Sequence, residues 1–162
     1  MVPSHKPSAA IARKIRAFRP ADAPAIIEIL RDSSEAAQWR PESYAKLAES
    51  PGGLVLVCEA GGQPVGFLAA RQAADEAEIF NIAVQRDFRR KGVASALLLA
   101  ALNEFHRSAI ARVFLELRES NLPAVSLYNR HGFAPSGRRK AYYHRPTEDA
   151  ICMLRKLTGS SG

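Results

Sequence analysis

Apolar residues recur along this chain with two periods, and each change of period marks an element boundary. Ile15-Arg16-Ala17-Phe18 alternates and stops before Pro20, which predicts a first strand. Asp22 is placed to N-cap a helix carrying Ile26, Ile27, Ile29 and Leu30 on one side. Ser33 to Trp39 has no period and predicts a loop. Pro41, tolerated in a first helical turn, opens a second helix to about Glu49, and Pro51-Gly52-Gly53 ends it. Leu54 to Ala60 and Pro64 to Arg71 read as strands joined by Gly61-Gly62, a two-residue hairpin turn. Ala77 to Val84 predicts a third antiparallel strand. From Gly92 to about Ser108, Val93, Leu97, Ala101, Leu102 and Phe105 fall at helical spacing. Arg112 to Leu117 is a strand. A helix then runs from Asn121 or Leu122 to about His131, and Gly132 stands where a left-handed C-terminal residue belongs. Two strands close the chain, near Ala134 to Tyr143 and Asp149 to Lys156. The sum is one mixed, mostly antiparallel α+β domain over residues 15–157, without internal repeat or linker. Residues 1–14, rich in Pro and Ser, read as a flexible tail, and residues 158–162 as another.

Composition narrows the function classes. A chain of 162 residues suits one domain with a real core. Its apolar runs stay well below the roughly 18 residues that span a bilayer. The start lacks a signal peptide's apolar core, so a cytoplasmic location and no membrane are expected. Cys58 and Cys152 lie in separate strand-like runs and suit reduced thiols rather than a disulfide framework. The 4 His are scattered, and no Cys/His set has metal-ligand spacing, so no metal is expected. The net charge is +7. Basic residues cluster at Arg13-Lys14-Arg16-Arg19, at Arg86 to Lys91, at Arg138-Arg139-Lys140 and at Arg155-Lys156. Such clusters are solvated faces, or they steer the protein toward an acidic partner. No aromatic interleaving of the base-stacking kind accompanies them, so direct nucleic-acid binding is not predicted.

The stretch from Asn81 to Leu98 carries the most chemistry. It reads as a strand end, a basic turn, a glycine and an apolar-periodic helix. The first turn of a helix has N–H groups without intrahelical partners, and the macrodipole adds partial positive charge there. Gly92 and Ala94 leave the backbone open, and Arg89, Arg90 and Lys91 add formal charge, so a diphosphate is a natural guest. The plainer reading is an ordinary strand–loop–helix unit with an Arg-rich turn. A P-loop is excluded because Lys91 precedes Gly92 and Val93 follows it, and a Rossmann fingerprint needs two further glycines.

Arg89-Arg90-Lys91-Gly92-Val93-Ala94 resembles the Gln/Arg-x-x-Gly-x-Gly/Ala motif of the GNAT acetyltransferases. The resemblance runs from about Arg16 to Lys156 and leans toward the RimI-like branch, which acetylates a ribosomal-protein alanine. It is carried, in order, by Phe80-Asn81-Ile82-Ala83-Val84, Leu115-Glu116-Leu117-Arg118 with Ser120-Asn121, Ala124 to Tyr128, Gly132-Phe133, Tyr142-Tyr143, and Glu148 to Ile151 with Met153. It implies the GNAT acyl-CoA N-acyltransferase fold, a mixed sheet flanked by helices, with acetyl-CoA as co-substrate.

Through that resemblance, Arg89 to Ala94 with Ser95 cradle the pyrophosphate. The backbone of Ile82, Ala83 and Val84 pairs with the pantetheine arm, and a strand-end N–H polarises the thioester carbonyl. Glu116 takes the general base's position, and desolvation among Val113, Phe114, Leu115 and Leu117 is expected to raise its pKa. Parity alone leaves a second reading, since Arg112, Glu116 and Arg118 share a face that solvent can reach. Tyr128 takes the position of the acid that reprotonates the thiolate, or is a helix aromatic packed on the sheet. Asn121 hydrogen-bonds the cofactor, caps its helix, or does both. Trp39, Tyr142 and Tyr143 match aromatic positions around the acceptor, and Glu148-Asp149 contact a peptide amine or end a turn. Loops at Ala73 to Glu76 and His144 to Thr147 depart from the branch. The expected acceptor is a protein N-terminal α-amine, on a ribosomal protein in the branch the chain resembles. The rivals are a lysine or small-molecule acceptor, a non-catalytic acyl-CoA sensor, and a basic RNA- or ribosome-binding module.

Overall fold

The computed structural model describes residues 12–157. The two predicted tails lie outside these except for residues 12–14, of which Arg13 and Lys14 are sheet members paired with Ala60 and Glu59. The strands are β1 (Arg13–Ala17), β2 (Gly53–Ala60), β3 (Gln63–Ala73), β4 (Glu76–Val84), β5 (Arg112–Arg118), β6 (Ala134–Tyr143) and β7 (Glu148–Lys156). The helices are α1 (Ala23–Arg31), α2 (Pro41–Glu49), α3 (Val93–Arg107) and α4 (Leu122–Arg130). One seven-stranded sheet holds all the strands in the order β1-β2-β3-β4-β5-β7-β6. Every neighbouring pair is antiparallel except β4 with β5.

Strand alternation gives the sheet two apolar faces, and each is covered by helices. On the back, Leu68, Ala70, Ile79, Val113, Leu115 and Met153 pack under the α3 residues Leu97, Leu98, Ala101 and Phe105 and under α4. On the front, Val55, Val57, Phe67 and Ala69 meet Ile26, Ile29 and Leu30 of α1 and Tyr44 and Leu47 of α2. Ile27, expected on the inner side of α1, is 37% exposed because the buried stripe follows the 26, 29, 30 spacing. The front helices serve the β2–β4 half. On the β5 half, Phe114, Glu116 and Arg118 face forward and stay half-buried.

Two irregularities shape the middle of the sheet. The β3–β4 register shifts between Ala69 and Ala70, so Phe80 is an extra residue on β4. Such a bulge puts consecutive residues on one face. Phe80 and Asn81 both turn forward, where Asn81 Nδ2 donates to the Ala37 carbonyl and the Tyr44 hydroxyl, each at 3.0 Å. The second irregularity is the parallel seam. It pairs Glu76 to Ile79 with Arg112 to Leu115 and goes no further, so β4 and β5 part beyond Ile79.

Asp22 is not the side-chain cap that its position predicts. A 3-10 turn over Pro20–Asp22 precedes α1, and the Asp22 carboxylate instead accepts the Arg19 N–H at 2.7 Å. Both its oxygens also accept from the Arg16 guanidinium at 2.8 Å. The pair is buried, with Asp22 6% and Arg16 11% exposed, and it fastens β1 to the start of α1. Among the described residues no helix is long and apolar enough to cross a membrane, and Cys58 and Cys152 are free thiols.

Arg16 holds the Asp22 carboxyl below the usual carboxylate range. A depressed folded-state value means stability that is present above the unfolded pKa and is lost as pH falls through the folded one. Asp22→Asn is therefore expected to lower unfolding free energy by about 3 kcal/mol at neutral pH in urea titrations. Its gap to the parent protein should close below about pH 4. A gap that stays constant down to pH 2 would show that the Asp22 charge is not what fastens this corner.

Candidate active site

The parting of β4 from β5 opens a gap in the hydrogen-bond ladder. Gln85 N–H donates to Val65 O at 2.8 Å, so the alternation directs Ala83 toward β3, where Phe67 is its partner. Ile82 and Val84 direct their N–H and C=O groups the other way, into the gap. The Val84 carbonyl is met there by Arg89 Nε at 3.1 Å. The two amides of Ile82 and Val84 are thus free to pair with an extended guest. Ala83 is a spacer whose main chain serves the sheet.

Below the gap the chain turns through a 3-10 segment, Arg86–Phe88, into the basic turn and α3. Arg90 has φ 60° and Gly92 φ 81°, both left-handed. Interspersed left-handed residues aim successive N–H groups into a concavity that suits an anion. Gly92 is the N-cap of α3 and its carbonyl takes the Ala96 N–H at 3.0 Å, so the amides of Val93, Ala94 and Ser95 form the helix's open first turn. The three basic side chains differ in their roles. Arg89 does not reach toward the turn's concavity: its guanidinium donates to the carbonyls of Val84 and Asp32 and to Ser33 Oγ, tying the loop to the end of α1. Arg13 of β1 donates to the Lys91 carbonyl. Lys91 lies 5.7 Å over the Phe88 ring, and Arg90 is exposed. Ser95 Oγ is 3.1 Å from His131 Nε2 at the end of α4, which steadies the first turn from the other side.

Glu116 stands on the front face one residue past the end of the seam. The apolar, desolvated slot expected around it is absent. Strand β7 brings β6 alongside, and Arg139 Nε donates to Glu116 Oε1 at 2.5 Å. Tyr142 lies beside this carboxylate, and the Glu116 charge holds its phenol above the usual range. The Glu116 side chain is 19% exposed and Arg139 is 59% exposed, so the cation is a cover rather than a buried partner. Burial pushes up the neighbouring Glu78 carboxyl. The Glu116 charge adds to that rise, and Arg139 and Arg71 oppose it. Glu78, Arg139 and the Glu116–Tyr142 contact were missed as site features in the sequence. Parity places Glu78 beside Phe114, but the β6–β7 register is long-range information.

Tyr128 lies on the back of the opening. Its ring is buried against Phe133, with centroids 5.4 Å apart, and burial raises its phenol well above the usual value. No fully buried side-chain oxygen or nitrogen lacks a partner among the described residues. The Tyr128 hydroxyl has no hydrogen bond to the described residues, so it reaches accessible space rather than the closed core. Asn121 does cap α4, accepting the Ala124 N–H at 3.3 Å through Oδ1, and its Nδ2 remains available. Glu148 and Asp149 serve the structure. Glu148 accepts from Ser120 N–H at 2.5 Å and Arg118 at 3.3 Å, and Asp149 accepts from Ala141 N–H at 2.8 Å and Arg138 at 3.0 Å. Tyr143 sits under Arg118, and Trp39 stacks on Tyr44 and Phe80 at 5.3 Å from each. No group of three or more His, Cys, Asp or Glu side chains placed to hold a metal occurs among the described residues.

Known proteins resemble this chain in sequence and in fold. The signature of the acetyltransferase (GNAT) family matches residues 23–133. The chain belongs to that family. It is 34% identical over 140 residues to a protein of Bacillus subtilis (strain 168) provisionally named a [ribosomal protein bS18]-alanine N-acetyltransferase, covering 86% of this chain and 92% of that one. It is 40% identical over 96 residues to the [ribosomal protein bS18]-alanine N-acetyltransferase of Escherichia coli (strain K12), covering 57% and 64%. The crystal structure of the ribosomal-protein-S18-alanine N-acetyltransferase from Escherichia coli superposes with a TM-score of 0.80 at 29% identity, over 93% of this chain and 99% of that one. The fold is therefore the α+β GNAT fold, and the protein is an acetyl-CoA-dependent N-acetyltransferase.

Gly92 at φ 81° is where this GNAT turn depends on a residue without Cβ. A Cβ there has room, since its nearest neighbour is Arg13 Nη1 at 3.8 Å, so the cost of a side chain is conformational. Gly92→Ala is expected to weaken acetyl-CoA binding about tenfold by titration calorimetry, the equivalent of the roughly 1–2 kcal/mol left-handed penalty. Unchanged affinity would remove Gly92 from the binding loop.

Proposed function

We propose that this enzyme acetylates the N-terminal α-amine of a protein, and that the acceptor is a ribosomal protein, as in the names of its relatives. The observation that carries the reading is Glu116, a carboxylate at the mouth of the parted seam, covered by a cation that an incoming ammonium can replace. Bound acetyl-CoA supplies an activated acyl carbonyl and a thiolate leaving group. The free amides of Ile82 and Val84 and the open turn from Arg90 to Ser95 fit such a guest, one by strand pairing and the other by phosphate binding.

Glu116 accepts the acceptor's ammonium in place of Arg139 and takes one proton from it. A backbone N–H in the gap donates to the acyl oxygen, a role that needs only fixed geometry. Tyr128 lies on the opposite face of the opening and is kept protonated by its burial, so its hydroxyl is the group able to return a proton to sulfur. Asn121 Nδ2, at the start of the same helix, is a further donor.

Magnitude favours an α-amine as acceptor. An N-terminal amine titrates near 7.7–8.0 and lysine near 10.4, so lysine costs about 3 kcal/mol more to deprotonate. An α-amine therefore asks less of a base than a lysine does. A cytoplasmic location, where ribosomal proteins are made, belongs to the same reading.

The test is CoA-thiol release with two peptides, one with a free N-terminal alanine and blocked lysines, the other with a blocked N-terminus and one free lysine. Turnover is expected on the first alone. Glu116→Gln and Tyr128→Phe should each lower kcat by about 100-fold or more while acetyl-CoA affinity holds. Turnover confined to the lysine peptide would reassign the acceptor, and full activity in both variants would remove the two roles.

A further inference from the structure

Between β5 and β6 the front face is low enough for one side chain to lie across it. Glu116, Cys152 and Gly137 form one cross-strand row, and Arg118, Ala150 and Arg139 form the next. The β7 members of both rows are small, so the Arg139 stem crosses β7 and delivers its guanidinium to Glu116, where Nε donates to Oε1 at 2.5 Å. The head group therefore sits over β5, beside the opening. A guanidinium has five N–H donors, and this bond spends one. The outer nitrogens belong to a side chain that is 59% exposed and lies 5.8 Å from the centre of the exposed Tyr142 ring. Its backbone is fixed, since Arg139 pairs with Ala150 and is the last β6 residue in the ladder before the irregularity that ends at Tyr143. A change of partner by Arg139 thus needs motion of the side chain alone.

An ammonium that takes the place of Arg139 on Glu116 leaves the guanidinium charged, with all its donors free, next to the atoms that follow the amine. In an N-terminal residue those atoms are Cα and a carbonyl, whose oxygen lies about 3 Å from the nitrogen. A carboxylate and a guanidinium held side by side match that pair of groups. The carboxylate takes the ammonium, and the guanidinium donates to the carbonyl oxygen. The ε-amine of lysine has a four-carbon stem in the same place and offers the guanidinium no acceptor. The Tyr142 ring face helps to keep the cation at the site while it changes partner.

We propose that Arg139 is a specificity-determining residue, which donates to the first carbonyl oxygen of the acceptor and so selects amines with a carbonyl on the adjoining carbon. The proposal rests on the α-amine reading and gives it a cause within the site. One side chain then serves two states. It covers Glu116 in the free enzyme, and it binds the acceptor's main chain in the complex.

The test is a cycle of enzymes and acceptors, read by CoA-thiol release at saturating acetyl-CoA. One acceptor is a lysine-free pentapeptide that begins with alanine. The other is the same molecule with a trans-alkene in place of its first amide, which removes that carbonyl and keeps the amine. KM for each is measured with the parent enzyme, with Arg139→Met and with Arg139→Lys, because a hydrogen bond made already in the ground state is read in KM. The two acceptors differ in basicity, but that difference is common to all three enzymes and cancels in the cycle. The peptide's advantage over the alkene is expected to shrink about tenfold in Arg139→Met. Arg139→Lys, which keeps a cationic donor, should restore part of it. Acetyl-CoA affinity equal to the parent's shows that the variants are folded. An advantage that is the same in all three enzymes would overturn the role of Arg139 and leave the α-amine reading standing. A parent enzyme that releases no thiol with the alanine peptide would overturn both.

Discussion

Everything at this site depends on one seam being parallel and short. A parallel neighbour forces a crossover connection, and α3 with its basic turn is that connection. The same seam ends after Ile79 and Leu115, so β4 runs on with one side of its ladder unpaired just where the crossover begins. The unpaired amides and the helix's open first turn therefore face the same space. The bulge at Phe80 belongs to the same arrangement: it turns Phe80 and Asn81 together toward α2 and leaves Ile82 and Val84 to aim into the gap.

The turn itself is shaped by groups far away in the chain. Arg89 reaches Asp32 and Ser33 past α1, and Arg13 of the first strand holds the Lys91 carbonyl. The front face follows a similar economy of charge. Arg139 covers Glu116, Arg138 bridges Glu119 and Asp149, and Arg118 joins Glu148 beneath Tyr143, so most basic residues of that half have internal partners.

Most of the fold was legible in the sequence because its signals are local. Alternation gave β2, β3 and β4, the Gly61-Gly62 turn joined the first two, and the 3.6 period of Val93 to Phe105 gave α3. The site was legible where backbone does the work, at Gly92 and at the strand end before it. It was not legible where distant strands set a side chain's neighbours. The surroundings of Glu116 come from the β5–β7–β6 order, which brings Arg139 and Tyr142 to a residue whose own sequence neighbours are apolar. Asp22 was misread as a cap because its partner Arg16 lies in another element. Arg89 looked like a phosphate ligand for the same reason, since nothing nearby in sequence shows that its charge is directed at Val84 and α1.

A sheet that carries a vacancy in its ladder has a lifetime set by what fills it. Any guest that pairs with Ile82 and Val84 binds the folded chain and not the unfolded one, and at a hundredfold excess over its Kd it adds about 2.7 kcal/mol to the unfolding free energy. That lowers the population of open, protease-sensitive chains roughly a hundredfold. A cell short of acyl donor would hold this protein in its more perishable form, so the supply of its co-substrate governs how long the enzyme persists as well as how fast it works.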